Sequence, residues 1–187
     1  MPIIDWINYS FSGSKSLIKL APFFFNKLIY KDYHENRPAL YPSSYSDSFN
    51  SFFSECTHII DNIYLGSSYN ASNYDLLYEK NIKKIVNVSD NVPNFFNNDI
   101  EYYYYEIKDN GLEIFDKKEL DNIIKFLKCD KNILVHCVVG RSRSATIVIY
   151  YLMKEKKMTY DDALNFIISK RVFVNPSLRL LNSIKNL

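Results

Sequence analysis

The chain has 187 residues, enough for one domain and an extension. Hydrophobic residues make up 47%, which supplies a sizeable core, and a formal net charge of +2 gives no basic field of the kind nucleic-acid binding needs. Cys56, Cys129 and Cys137 form an odd, scattered set. They make a poor disulfide framework and contain no CxxC pair for a metal, so a reducing compartment, the cytoplasm, is expected. No run reaches the roughly 18 unbroken apolar residues of a membrane span. The nearest, residues 17–30, is interrupted by Lys19, Pro22 and Lys27, starts late and lacks a small-residue cleavage site. Residue 2 is Pro rather than Gly, which excludes N-myristoylation.

Residues 1–55 read as an extension, irregular or weakly helical, and residues 56–187 as the main domain. Arg37-Pro38, Tyr41-Pro42 and the serines at 43, 44, 46 and 48 read as a linker. Residues 1–31 carry Asp5 against Lys15, Lys19, Lys27 and Lys31, interleaved with apolar side chains. That pattern suits packing of the Phe residues on the domain, or weak contact with a membrane surface or organelle targeting. Residues 58–65 then read as one or two short strands ending at Gly66. Residues 73–80 form a short helix with Leu76 and Leu77 inward. Residues 84–88 suit a buried strand, and residues 102–107 are a β-prone aromatic run. Asp116 and Glu119 resemble a capping box before a helix that carries Leu120, Ile123, Ile124 and Leu127 at helical spacing. A buried strand at 133–135 leads into His136, and residues 144–156 read as a helix. Thr159 caps a helix over 160–170, with Asp161 and Asp162 in its first turn. Asn175-Pro176 opens the last helix. Strands alternating with helices imply an α/β fold with a central, mostly parallel sheet flanked by helices.

The chemistry concentrates in His136–Ser144, HCVVGRSRS. A strand ends at Cys137, a short loop follows, and Arg143 opens an apolar helix. A loop feeding a helix N-terminus turns backbone N–H groups of Val138, Val139, Gly140, Arg141 and Ser142 toward one point, and the helix dipole adds to them, making an anion site suited to phosphate. The same field favours a thiolate at Cys137. Arg143 offers a planar fork to two phosphate oxygens, which Lys cannot match.

This segment resembles the signature of the protein tyrosine phosphatase superfamily: His-Cys, five residues, Arg, then Ser or Thr. Gly140 and Ser142-Arg143-Ser144 resemble the dual-specificity phosphatases in particular. The likeness continues in Ile63-Tyr64-Leu65-Gly66 with Ala71, in Ile85-Val86-Asn87-Val88-Ser89, in Ser144-Ala145-Thr146 and in Tyr150-Tyr151-Leu152-Met153, covering residues 57–187. It implies a protein-tyrosine-phosphatase-like fold with an N-terminal extension, and no cofactor or metal. Cys137 is the nucleophile and Arg143 the phosphate clamp. The hydroxyl of Ser144 stabilises the departing thiolate, and His136 holds the loop and the cysteine's ionisation. Asp109, just after the aromatic strand and before Gly111, resembles the family's general acid, although Asp109-Asn110-Gly111 is also an ordinary turn sequence. Asp116 competes with it, but helix capping accounts for that residue. Asn175 stands one position early for the part that a Pro-Asn pair plays in relatives. Val139 replaces a common Ala, and Arg141 adds a charge beside the pocket.

The implied activity is hydrolysis of phosphotyrosine and phosphoserine/threonine through a phosphocysteine, on a phosphoprotein with kinases among the candidates. Trp6 is the only Trp, so there is no Trp-Pro-Asp acid loop. Two alternatives stand beside this reading. Residues 140–146 also resemble the loop of a mitochondrial phosphatidylglycerophosphate phosphatase, so a phospholipid or other non-protein phosphomonoester is the second substrate class. No Lys stands beside Cys137, which counts against it. An inactive phospho-binding pseudophosphatase is the third, and retention of the cysteine, arginine and acid counts against that.

Overall fold

The computed structural model describes Tyr41, residues 45–108, Asn110, residues 112–185 and Leu187. Asp109 and the lysine-bearing segment 1–31 lie outside the described residues. The elements run α1 Tyr45–Phe53, β1 Thr57–Ile60, β2 Ile63–Gly66, α2 Ser68–Ala71, α3 Tyr74–Glu79, β3 Ile82–Asn87, β4 Glu101–Tyr104, α4 Lys117–Leu127, β5 Asn132–His136, α5 Arg143–Glu155, α6 Tyr160–Lys170 and α7 Leu178–Lys185. The sheet order is β1-β2-β5-β3-β4. Only the β1–β2 pair is antiparallel, and the other three pairings are parallel.

Both faces of the sheet are covered, so its strands read as continuous apolar runs. The period of two still sorts their side chains. Ile63, Leu65, Val86, Ile133 and Val135 join the core under α4, α5, α6 and α7. Ile85 and Leu134, with Tyr64 and Tyr102 partly buried beside them, face the opposite core with Ala71 and Leu77. Helix α5 runs through the first core, and every residue from Arg143 to Leu152 is buried. An all-round apolar helix fits that position. Lys84 lies at the edge of burial on β3. Its ammonium meets Glu101 at 3.2 Å and stands 3.8 Å from the Phe126 ring centroid, so its charge is answered on two sides.

Caps set the helix starts. Asn73 accepts from Leu76 N–H, Asp116 from Glu119 N–H and Thr159 from Asp162 N–H. The box at Asp116 is half closed, because the Glu119 carboxylate accepts from Tyr103 O–H at 2.7 Å instead. Three expectations change. Ser46 and Ser48 belong to helix α1 and not to a linker. A helical turn, α2, stands between β2 and α3. The last helix begins after Ser177, whose hydroxyl accepts from Leu180 N–H at 3.3 Å, and not at Asn175-Pro176.

Register places the functional end. His136 on central β5 is level with Gly66 on β2 and Asn87 on β3, and Asn87 is level with Tyr104 on β4. Four loops therefore leave the sheet from one rim, at the C-terminal ends of parallel strands, where open α/β sheets bind ligands.

Candidate active site: a loop with its carbonyls turned out

The loop from His136 to Ser142 is shaped by where its carbonyls go. His136 O accepts from Val88 N–H at 3.0 Å. Cys137 O lies 3.2 Å from His136 Nδ1, which donates to it in the tautomer protonated there. Val138 O accepts from the N–H of Ser68 at 3.0 Å and from its hydroxyl at 3.1 Å. Val139 O accepts from Ser51 Oγ at 3.1 Å and Gly140 O from Arg171 Nε at 3.2 Å. Arg141 O accepts from Asn175 N–H at 2.9 Å, and Ser142 O from Thr146 N–H at 2.9 Å. Every carbonyl in the run except that of Cys137, which meets the ring of its neighbour His136, is drawn to a donor outside the loop. A planar trans peptide sets its N–H opposite its C=O, and no peptide among the described residues is cis. The N–H groups of residues 138–143 are therefore turned into the loop's interior. That is a concave anion site at the N-terminus of α5.

Two backbone details permit this shape. Gly140 has φ +73°, which L side chains rarely adopt. A Cβ there would also lie 2.6 Å from the Gly66 carbonyl carbon and 3.0 Å from Ser67 N, so the loop and β2 approach backbone to backbone. Ser142, the N-cap of α5, makes no side-chain bond to the helix's first turn. Its hydroxyl accepts from Ser177 N–H at 3.2 Å instead. The N-cap side chain therefore does not cap its own helix.

Cys137 is 1% exposed at the base of the loop, and the Ser144 hydroxyl donates to its sulfur at 3.2 Å. Arg143 is 2% exposed. Its Nη1 donates to Asp90 Oδ1 at 2.8 Å and to Ile107 O at 2.9 Å. Asp90 is presented by a hydrogen-bonded loop after β3. The buried amide of Asn87 donates to Val92 O at 2.9 Å and to Asn94 Oδ1 at 3.0 Å, and its oxygen accepts from the N–H and hydroxyl of Ser89. His136 is fully buried, and its Nε2 has no hydrogen-bond partner among the described residues. Burial, helped by the Arg143 charge, pulls its pKa down to about 4. At neutral pH it holds the loop as a neutral imidazole and not as a cation.

The structure thus brings Cys137, Arg143, Ser144 and His136 together with Val138, Val139, Gly140 and Ser142. One expectation is corrected. The Arg141 side chain does not stand as a charge beside the pocket. It is buried and donates from Nε to Phe173 O and from Nη1 to Ser48 Oγ, each at 2.6 Å, so these two bonds turn its guanidinium to the scaffold. The Asn175 side chain is a two-point clamp on the Tyr41 backbone, accepting from its N–H at 3.0 Å and donating to its carbonyl at 2.8 Å. Ser177 is likewise taken up in capping α7. Ile107, two residues before Asp109, is fixed on Arg143.

Asp90, Arg171 and Ser51 were not picked out from sequence. Asp90 had a local signal, a carboxylate on the loop after a buried strand. Arg171, at the end of an amphipathic helix, reads as solvated, yet it is 3% exposed. Burial also pushes the Cys56 thiol up to about 11, so Cys56 is no rival nucleophile.

Comparison with known proteins agrees with this geometry. Residues 63–187 match the family model for the dual specificity phosphatase catalytic domain. The chain is 32% identical over 129 residues to dual specificity protein phosphatase 1-B of Xenopus laevis, covering 67% of this chain and 35% of that protein. It is 34% identical over 134 residues to protein phosphatase Slingshot of Drosophila melanogaster, covering 69% and 13% respectively. The chain thus spans about a third or less of the length of these relatives. Among solved structures, the human tyrosine phosphatase-like serine/threonine/tyrosine-interacting protein superposes with a TM-score of 0.65 at 24% identity, covering 71% of this chain and 94% of that one. With the family match spanning the strand–loop–helix described above, this chain belongs to the dual specificity phosphatases, within the cysteine-based protein tyrosine phosphatases.

Proposed function

We propose that the chain hydrolyses phosphotyrosine and phosphoserine/threonine in proteins through a phosphocysteine intermediate. One observation carries the reading: the carbonyls of residues 138–142 turn to outside donors, which leaves the following N–H groups inward in the loop of Cys137, whose Sγ accepts from Ser144 at 3.2 Å. The thiolate attacks phosphorus in line, the S–P bond forms and the P–O bond to the substrate breaks. Asp109 gives its proton to the departing oxygen. Loop N–H groups and the Arg143 fork hold the equatorial oxygens as charge redistributes. Asp109, now ionised, takes a proton from water, which attacks phosphorus. The S–P bond breaks, and the Ser144 hydroxyl stabilises the released thiolate. General acid–base help supplies about 10²–10⁴-fold. Acceleration of phosphate-monoester hydrolysis reaches ~10²¹-fold, so positioning and the preorganised cradle must supply most of it.

The testing experiment is turnover of a small aryl phosphate and of phosphopeptides by wild type and Cys137→Ser. The variant should lose turnover while still binding phosphate, and hydrolysis at the wild-type rate would remove Cys137 as nucleophile. Running phosphatidylglycerophosphate and phosphoinositides alongside the phosphopeptides, under matched conditions, decides the substrate class. We place the activity in the cytoplasm on a phosphoprotein, and kinases among the phosphopeptide sources test the candidate partner.

A further inference from the structure

The family match begins at residue 63, but part of the scaffold that shapes the phosphate loop precedes it. Ser51, on α1, donates to Val139 O. The next carbonyl, Gly140 O, is held by Arg171, which stands at the C-terminus of α6. The remaining contacts of Arg171 run back to the same early segment. Nη1 donates to Glu55 O at 3.1 Å and Thr57 Oγ1 at 3.0 Å, and Nη2 to Ser51 O at 2.9 Å and Ser51 Oγ at 3.3 Å. Arg141 adds a third tie through Ser48. Helix α1 is itself anchored. Ser67 donates to Phe52 O at 2.6 Å, Asn70 to Ser54 O at 2.9 Å, and the Phe53 and Tyr69 rings lie 5.1 Å apart.

Building on the phosphatase reading, we propose that Ser51 and Arg171 are positioning residues for the reaction. They hold the Val139 and Gly140 carbonyls outward so that the N–H groups of Gly140 and Arg141 face the phosphoryl group, and the buried guanidinium adds positive potential behind the Cys137 thiolate. Without the Ser51 hydroxyl the Val139 carbonyl loses its donor, and the peptide between Val139 and Gly140 loses what fixes its sense. The charge on Arg171 persists at neutral pH, since burial pulls its pKa only down to about 10. Cys137 favours that charge and Arg141 opposes it. The attraction is reciprocal, so the guanidinium favours the thiolate. The other groups around the nucleophile are Arg143 with its partner Asp90, neutral His136, and Cys56 as a thiol.

The test uses the full chain, with Ser51→Ala, Arg171→Lys and Arg171→Gln beside wild type. Three quantities are read: tungstate affinity by calorimetry, kcat and KM on an aryl phosphate, and the pH midpoint of Cys137 alkylation by iodoacetate. Ser51→Ala should weaken tungstate binding and lower kcat by about tenfold, the scale of one buried carbonyl left without its donor. Arg171→Gln should do the same and raise the alkylation midpoint by about one unit, while Arg171→Lys, which keeps the charge, restores most of that midpoint. Folded variants that bind tungstate like wild type with an unmoved midpoint would overturn the inference, even if their Tm falls. If Arg171→Gln does not fold, Ser51→Ala decides alone. A wild type that neither binds tungstate nor turns over aryl phosphate removes the phosphatase reading, and this inference with it.

Discussion

Acidification to between pH 7 and pH 5 should destabilise the domain chiefly through His136. The residue is fully buried with a folded-state pKa of about 4, against 6.5 for the exposed imidazole. Between those values the unfolded chain binds a proton that the folded chain refuses, so stability rises with pH across the window and falls on acidification. The whole depression corresponds to about 3 kcal/mol, of which about 2 kcal/mol is lost by pH 5. Against a typical domain stability of about 5–15 kcal/mol that is a large change. Asp61, held below the usual carboxylate range by Lys156, contributes stability that is lost only at lower pH, as its folded-state pKa is crossed. The measurement belongs in a Cys137→Ser background, so that no thiol adjoins the imidazole under study. Urea unfolding at pH 7, 6 and 5, with the imidazole followed by nitrogen NMR, gives both stability and pKa. His136→Asn, whose amide can still reach the Cys137 carbonyl, should flatten the profile. An equally steep profile in that variant would refute the assignment.

Other substitutions address the cradle and its chemistry. Arg143→Lys should lower kcat/KM on an aryl phosphate by about 10²–10³-fold, the scale of one lost transition-state donor in a preorganised site. Gly140→Ala meets both a positive φ and the Gly66 backbone, so it should cost on the order of 1–3 kcal/mol in urea unfolding and weaken tungstate binding measured by calorimetry. Asp90→Ala frees the guanidinium from one side and should lower kcat roughly tenfold in steady-state assays, while Asp90→Asn, which keeps an acceptor on Nη1, should lose less. Asp109→Ala should hurt poor leaving groups more than activated ones, and equal losses across a leaving-group series would argue against a general acid there.

The sheet, the helices with local caps and the strand–loop–helix at His136–Ser144 could be read along the chain, because each is written in neighbouring residues. The cap at Thr159, the apolar stripe of α4 and the run from His136 to Ser144 are examples. What escaped was assembled across distance. Ser51 reaches Val139 over a separation of 88 residues, and Arg171 reaches Ser51 over 120. Nothing local distinguishes such an arginine from one on a wet helix face. Helix α1 did carry a helical stripe, Phe49, Phe52 and Phe53, but among Ser and Asn residues that favour turns. Packing of Phe52 and Phe53 against Tyr69 overrode that preference. Arg141 shows the converse error. Its place in the loop suggested a ligand-facing charge, and a serine on α1 claimed it instead.

These distant partners bear on what the signature can do alone. A strand–loop–helix peptide has no reason to turn consecutive N–H groups the same way, because their aligned dipoles repel until an anion arrives. The compensation comes from the donors that capture the carbonyls behind them: Val88, Ser68, Ser51, Arg171, Asn175 and Thr146. Each such bond contributes about 1 kcal/mol net, so the set is comparable to the marginal stability of a whole domain. The cradle is therefore a property of the folded domain, prepared before substrate binds. In the proposed reaction Cys137 and Arg143 do the chemistry, but the donors on α1, α2, the loop after β3 and the end of α6 decide whether phosphate finds its N–H groups already in place.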